Sequence, residues 1–582
     1  MDHLPIHPRL KLESFAFFKG IGSDSLQEIL GKLRTLSFDP GEFVCREGEP
    51  GESLFLIENG LVEVWIEKGG ERHLVRRLRQ GDVVGEMALL SGEHRSADVV
   101  AAVPSTILEL DATTFATIVA EHPAVLHNIA LLFIQREHAS TPVRLRRNRG
   151  EAVALIVGRS CVSAVPAVIE AAEQSGIGLP IVVDLGGIVS PGDNRQRRDG
   201  VAAVLGQLDD FLHDTERVLV VADESQQELE SLLRHMDRVV LMMNRSEAQR
   251  WNRSSSSGLA AEIFLIAENR SEIESSSFAH EVVHMSTPAL PRRDLLWLGR
   301  HLSRTKLGLA LGAGGAKGFA HVGAFETLER EGYVFDYVSG SSIGSIFGSC
   351  IAMGMSSRVL SDAARWLLSL DVCGSYFRLT TRDAEEPGHI AFYEALSELA
   401  AGRSFTDLPL PLALMTADLN ARLPFVFRAG LLEEALHAAL SIPGLAPPFE
   451  RENQRLVDGV TIAPVPTQAV KDMGADITVS VNLMSRDELD AWPEDGPITE
   501  VQKKRSKTLD PMIETLIMLQ LDTSTRNAAE ADVVITPEFA PSSWRDIHLA
   551  DRFEAAGRRA AEGQLSVLKS LANPLSYGIE NR

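Results

Sequence analysis

The chain has 582 residues, too many for a single hydrophobic core and enough for three domains. Hydrophobic residues make up 45% of it and mean hydropathy is near zero, the balance of an ordinary soluble globular protein. With 57 Lys and Arg against 80 Asp and Glu, the formal charge of −23 argues against nucleic acid as the main partner and against broad adhesion to anionic lipid. Cys45, Cys161, Cys350 and Cys373 are scattered without metal or disulfide spacing, which fits a reducing compartment. The opening MDHLPIHPRLKLESF lacks the apolar core of a signal peptide, and no charge-free apolar run reaches about 18 residues. A cytoplasmic protein is expected, touching the inner face of a membrane from the side at most.

Residues 15–120 read as short β-rich runs. LFLI and VEVWI look like strands, and Gly41, Gly48, Gly51, Gly60 and Gly81 supply turns. A helical stretch is expected over about 114–137, followed by the basic link RLRRNRG at 144–150, a solvated hinge or a contact for lipid phosphates. Within this block, GDVVGEMALLSGEHRSADVVA at 81–101 carries chemistry suited to a cyclic nucleotide. The planar fork of Arg95 can pair with a ring phosphate, helped by N–H groups of a short EMALLS helix, and Glu86 can accept from a ribose hydroxyl.

Residues 151–304 change character. The apolar runs VALIV, LPIVVDL, RVLVVAD, RVVLMMN and EIFLIAEN alternate with helix-like segments such as SQQELESLLRHMD, the pattern of βαβ units and a mostly parallel sheet. No phosphate loop of the G-x-x-x-x-G-K-[ST] type is present, so the segment reads as a nucleotide-fold scaffold without its site. Serine clusters at 254–257 and 275–277 read as loops. HEVVH at 280–284 matches a zinc helix motif, but its β-branched pair and the following STPALP suit a closing strand better.

A second α/β unit opens at 305 with KLGLALGAGGAKGFAHVGAFETLEREGYVFDYVSGSSIGSIFGS: strand, glycine loop, helix, strand, sharp turn, helix. In GSSIG, Gly340 and Gly344 flank Ser342 symmetrically, as a strained strand-to-helix elbow requires, whereas Ser341 and Ser345 have no such flanks. GAGGAKG at 312–318 would offer backbone N–H groups to an oxyanion; dinucleotide binding competes, weakened because the pattern is not a clean G-x-G-x-x-G. One helix and one strand separate loop and elbow, which places both at the C-terminal ends of neighbouring parallel strands. QRLVDGV at 454–460 ends a third strand in an acid–glycine pair, so Asp458 could take the serine proton or merely form a turn. A Ser-His-Asp triad through His437 or His548 is the rival mechanism, though neither sits in a pattern that identifies a base. In RVLSDAARWLLSL at 358–370, Val359, Ala363, Trp366, Leu367 and Leu370 form one helical stripe, read as core in preference to a lipid contact.

Together the serine elbow, the glycine loop and the acid–glycine strand end resemble the patatin-like phospholipases, and with the upstream block the neuropathy-target-esterase branch of that family. The resemblance runs through SIPGLAPPFE (441–450) to IHLADRFEAAGRRAA and covers most of 305–575. It implies Ser342 as nucleophile in the elbow Gly340–Gly344, Asp458 with Gly459 as base, and Gly314, Gly315, Ala316, Lys317 and Gly318 as oxyanion loop. Ala313, Val460 and Ala463 depart from the usual glycine, small residue and asparagine. The upstream block resembles cyclic-nucleotide-binding β-rolls, with Gly85, Glu86, Ala88, Arg95, Ser96 and Ala97 on motif positions. The implied architecture is multidomain α/β: a β-roll with its basic linker (1–150), a degenerate Rossmann-like segment (151–304) and a patatin-like α/β/α domain (305–582). The implied activity is hydrolysis of lysophospholipid or phospholipid acyl esters without a catalytic cofactor, with cAMP or cGMP as regulatory ligand. The alternative is a non-catalytic cyclic-nucleotide sensor whose patatin-like part only binds.

Overall fold

The computed structural model describes residues 23–122, 151–267, 281–369, 389–484 and 509–574, with Phe15, Phe18, Ile21, Val125 and Val372. Short breaks fall at 69–70, 80–81, 93, 177–179, 186, 188–194, 199, 209–210, 213–214, 216, 227, 255–260, 540–541, 543 and 545. Gly81, the stretch 126–137, the basic link 144–150, serines 255–257 and 275–277, His280, Leu370 and Cys373 lie outside the described residues. The chain divides into two compact units, Met1–Ile169 with Gly178–Leu295, and Glu170–Ile177 with Leu296–Arg582.

The first unit begins with two four-stranded antiparallel sheets. One orders Arg34–Phe38, Ser105–Asp111, Ser53–Asn59 and Val83–Val84; the other orders Phe43–Cys45, Asp98–Ala101, Leu61–Lys68 and Glu71–Arg79. The LFLI run is buried on both faces: Leu54 and Leu56 pack with Phe15, Phe18 and Leu110, while Phe55 and Ile57 pack with Val62 and Val99. Period-two geometry sends alternate residues to separate cores. The helix expected over 114–137 begins at Ala112, where Asp111 accepts from Thr113 and Thr114 N–H at 2.9 Å, and it closes at Glu121. Pro123 in the sequence disfavours helical backbone at His122 and so ends it early.

The second part of this unit is a seven-stranded, all-parallel sheet ordered Arg195–Arg198, Ile181–Leu185, Arg217–Asp223, Glu151–Val157, Arg238–Asn244, Glu262–Ile266 and Glu281–Ser286. All five apolar runs are strands within it, buried as a sheet covered on both faces demands. At the C-terminal edge, the buried Glu247 carboxylate accepts from Ser160 N (2.9 Å), Ser160 Oγ (2.7 Å) and Asn244 N (2.9 Å). An internal anion thus occupies donors that a phosphate would use in a nucleotide fold. The described part of HEVVH belongs to a strand, Glu281–Ser286, and not to the helix that the zinc motif needs. His284 instead stacks on Phe264 and lies 3.5 Å from Asp294.

The second unit is built on an eight-stranded sheet. Val533–Ile535, Ile477–Val481, Leu307–Leu311, Tyr337–Ser341 and Leu412–Asp418 run parallel in that order. Leu423–Phe427 and Gln454–Asp458 both pair antiparallel with Leu412–Asp418, and Phe449–Arg451 pairs antiparallel with Gln454–Asp458. The helix after the glycine loop, Phe319–Arg330, crosses Ala550–Leu571 at backbone contact: a Cβ on Gly323 would strike the Glu554 carbonyl, and one on Gly557 the Ala320 carbonyl. In Ser357–Leu367 the buried stripe is Leu360, Ala364 and Leu367; Val359 is 50% and Trp366 40% exposed, so the apolar stripe read from the sequence is not the core face. Two adjacent apolar stripes share Leu367, and Arg365 and Ser361 fix the choice by bonding Glu554 at 2.8 and 3.0 Å. Among the described residues no helix is long and apolar enough to cross a membrane.

Candidate active site

Ser342 stands between the strand Tyr337–Ser341 and the helix Ile343–Ala352 with φ 54° and ψ −126°, a conformation that strains a residue bearing a side chain. Both neighbouring glycines answer steric needs of this turn. A Cβ on Gly340 would strike the Gly344 carbonyl, and one on Gly344 the carbonyl of Leu311 on the adjacent strand. Ser342 Oγ donates to Asp458 Oδ2 at 2.6 Å across 116 residues of sequence.

Register explains the meeting. Ser341 pairs with Met415, and Thr416 on the same strand pairs with Asp458, so one strand separates the two ends at the same level. Two strand spacings amount to about 10 Å, which the side chains close by leaning over Met415. Gly459 permits this, because any Cβ there would strike the Met415 carbonyl. Asp458 is fully buried; its N–H donates to Ser441 O at 3.1 Å and its Oδ1 accepts from Val460 N at 2.8 Å. Burial pushes its carboxyl up to about 7, against the pull of the Ser342 and Val460 bonds.

The glycine loop lies against this elbow, where a Cβ on Gly318 would meet Ile343 at 2.5 Å and Phe347 at 2.7 Å. Gly312 N donates to Val481 O (3.0 Å), Ala313 N to Pro464 O (2.8 Å) and Ala316 N to Trp544 O (2.7 Å). Lys317 N reaches Gly314 O at 3.3 Å, and its ammonium lies 5.2 Å from the Phe539 ring centre. Within the expected oxyanion loop, Ala316 and Lys317 therefore spend their N–H groups internally. Those of Gly314 and Gly315 have no partner among the described residues. Gly315 has φ 58° and no room for a Cβ, which would come 2.5 Å from Trp544 O. Two departures from the family pattern meet in one apolar cluster: Ala313 and Val460 pack with Met484 and Leu521. At the third, Ala463, backbone closes the turn instead, with Ala463 N donating to Gly459 O at 2.9 Å.

Neither triad histidine touches Ser342. His437 Nε2 lies 3.1 Å from Tyr393 O and 3.2 Å from Ser397 Oγ, with its ring stacked on Tyr393, and His548 is exposed. The sequence reading missed His321, whose Nε2 lies 2.8 Å from Gly312 O, and the carbonyls of Trp544 and Ser441. A histidine three residues beyond Gly318 was a visible signal; backbone carbonyls give none.

In the first unit Gly85, with φ 88°, caps the helix Glu86–Ser91, and its missing Cβ leaves room for the Arg95 guanidinium. Arg95 Nη1 donates to Gly85 O at 3.0 Å and Nη2 to Ser53 O at 2.7 Å, and the group lies 5.2 Å from the Phe55 ring centre. Glu86, Ala88 and Arg95 are buried, Ala97 half-buried and Ser96 exposed.

The cyclic nucleotide-binding domain model matches residues 35–122, and the patatin-like phospholipase model matches residues 309–471, which contain both Ser342 and Asp458. An uncharacterized NTE family protein of Mycobacterium bovis is 24% identical over 475 residues, 79% of this chain and 78% of its own. The chain carries a cyclic nucleotide-binding domain and a patatin-like phospholipase domain and is similar to NTE family proteins. Patatin-like phospholipase domain-containing protein 7 of Rattus norvegicus is 24% identical over 535 residues, 80% of this chain and 39% of that protein. Among solved structures, a cAMP-binding acyltransferase of Mycobacterium smegmatis is 31% identical over 22% of this chain and 40% of its own, with a TM-score of 0.20. The family match and the relatives support a lipid acyl hydrolase.

Proposed function

We propose that this protein hydrolyses acyl esters of lysophospholipids or phospholipids through a Ser342–Asp458 dyad. The hydrogen bond of 2.6 Å between the two side chains carries the reading. Ser342 Oγ attacks the ester carbonyl as its proton passes to Asp458, and the negative oxygen takes the N–H groups of Gly314 and Gly315. The proton then leaves with the alcohol, and Asp458 draws one from the water that releases the acid. A carboxylate of ordinary pKa is a poor base toward a hydroxyl; burial that lifts Asp458 to about 7 narrows the gap. A fluorophosphonate probe tests the nucleophile: wild type is expected to label and Ser342→Ala not. An unlabelled wild type would favour the non-catalytic sensor.

The upstream block supports a regulatory cyclic nucleotide, with Arg95 exchanging backbone carbonyls for a phosphate. Calorimetry with cAMP and cGMP is expected to give heat that Arg95→Ala reduces by at least about tenfold in affinity, the worth of a lost charge-assisted contact. Silence with both ligands would end the regulatory idea.

A further inference from the structure

His321 sits in the first turn of the helix Phe319–Arg330, fully buried, with its ring edge-on to Phe347 at 5.7 Å. Its Nε2 lies 2.8 Å from the Gly312 carbonyl oxygen. That oxygen can only accept, so Nε2 carries the proton and the neutral ring leaves Nδ1 as a bare acceptor. Nδ1 has no hydrogen-bond partner among the described residues. An acceptor buried without a partner is costly, and a leucine or methionine would fill the space without that cost. What the imidazole adds is one donor, aimed at Gly312.

The peptide joining Gly312 to Ala313 is held at both ends. Its carbonyl accepts from His321, and its N–H, on Ala313, donates to Pro464 O at 2.8 Å. Immediately beyond it come the N–H groups of Gly314 and Gly315, and the next anchor is Ala316 N on Trp544 O. With the carbonyl released, this peptide plane would be held at one end only, next to Gly312, whose backbone resists rotation little. We propose that His321 is a positioning residue that locks the 312–313 peptide and thereby aims the Gly314 and Gly315 donors. The proposal rests on the reading of Ser342 as nucleophile beside an oxyanion loop.

The test uses the full chain, with p-nitrophenyl butyrate hydrolysis and fluorophosphonate labelling as readouts. Gln places an amide N–H near the position of histidine Nε2, Met has similar length without a donor, and Asn falls short of Gly312. His321→Met is expected to lower kcat about a hundredfold, the scale of one lost oxyanion contact, with KM changed less than about threefold and labelling slowed in parallel. His321→Gln is expected to recover most of both rates, and His321→Asn is not. Wild-type kcat in His321→Met, or equal losses in the Gln and Asn variants, would overturn the proposal. Should the Met variant fail to fold, the comparison of Gln with Asn decides. A wild type that neither labels nor turns over would instead sink the nucleophile reading itself.

Discussion

Asp458→Asn is expected to abolish turnover and to make the protein more stable. Loss of the base removes about a thousandfold or more of the rate, in line with general acid–base contributions. The stability gain follows from linkage. Burial raises the Asp458 carboxyl from 3.8 to about 7, while the hydrogen bonds from Ser342 and Val460 oppose that rise. Between these values the folded state keeps its proton and the unfolded state gives it up, so stability falls as pH rises and the full cost is present above about 7. That cost is about 4 kcal/mol. Asn never ionises, so it avoids the cost, and its carbonyl oxygen can still accept from Val460 while its amide faces Ser342. Thermal unfolding at pH 8 should show the variant melting several degrees above wild type, with the gap shrinking toward pH 4. A variant that melts lower at pH 8, or still turns over, would contradict the role of the carboxylate. The same shift predicts that wild-type kcat/KM rises with pH through about 7, as the free enzyme's base loses its proton.

Such a site, destabilised where it acts, was partly readable in the sequence. Gly340, Gly344 and Gly459 were visible because each answers a steric need, a missing Cβ beside a carbonyl, that only one residue type meets. The parallel placement of glycine loop and elbow followed from the length of the crossover between them. The antiparallel course of Gln454–Asp458 did not, since direction within a sheet is set by pairing partners far along the chain. Arg195–Arg198 was equally silent: a run of Arg-Gln-Arg-Arg has no strand pattern, and backbone pairing to Val182–Leu185 makes it an edge strand. Narrowing the oxyanion donors to Gly314 and Gly315 required knowing that Trp544 O, distant in sequence, engages Ala316.

Replacing His321 is expected to tilt the pH dependence of stability in the direction opposite to replacing Asp458. Burial lowers His321 from 6.5 to about 4, and the Gly312 bond only partly resists. Between these values the unfolded state binds a proton that the folded state refuses, so this group makes stability rise with pH. Refusing that proton costs nothing above pH 6.5, and below it the penalty grows to about 3 kcal/mol as pH falls toward 4. Asp458 acts with the opposite sign over nearly the same window: one folded-state proton kept, one refused, and no net proton uptake from the pair. Wild type therefore hides both. Relative to it, Asp458→Asn should gain a slope of about +1.4 kcal/mol per pH unit between pH 4.5 and 6.5, and His321→Gln one of about −1.4. Groups elsewhere cancel in these differences, and the double variant should run parallel to wild type. Urea unfolding of all four proteins at three pH values in that range measures the slopes. Single variants that run parallel to wild type would mean that the two groups do not hold their protons oppositely, and the site would then lack the dry interior that raises Asp458 into the range of a base.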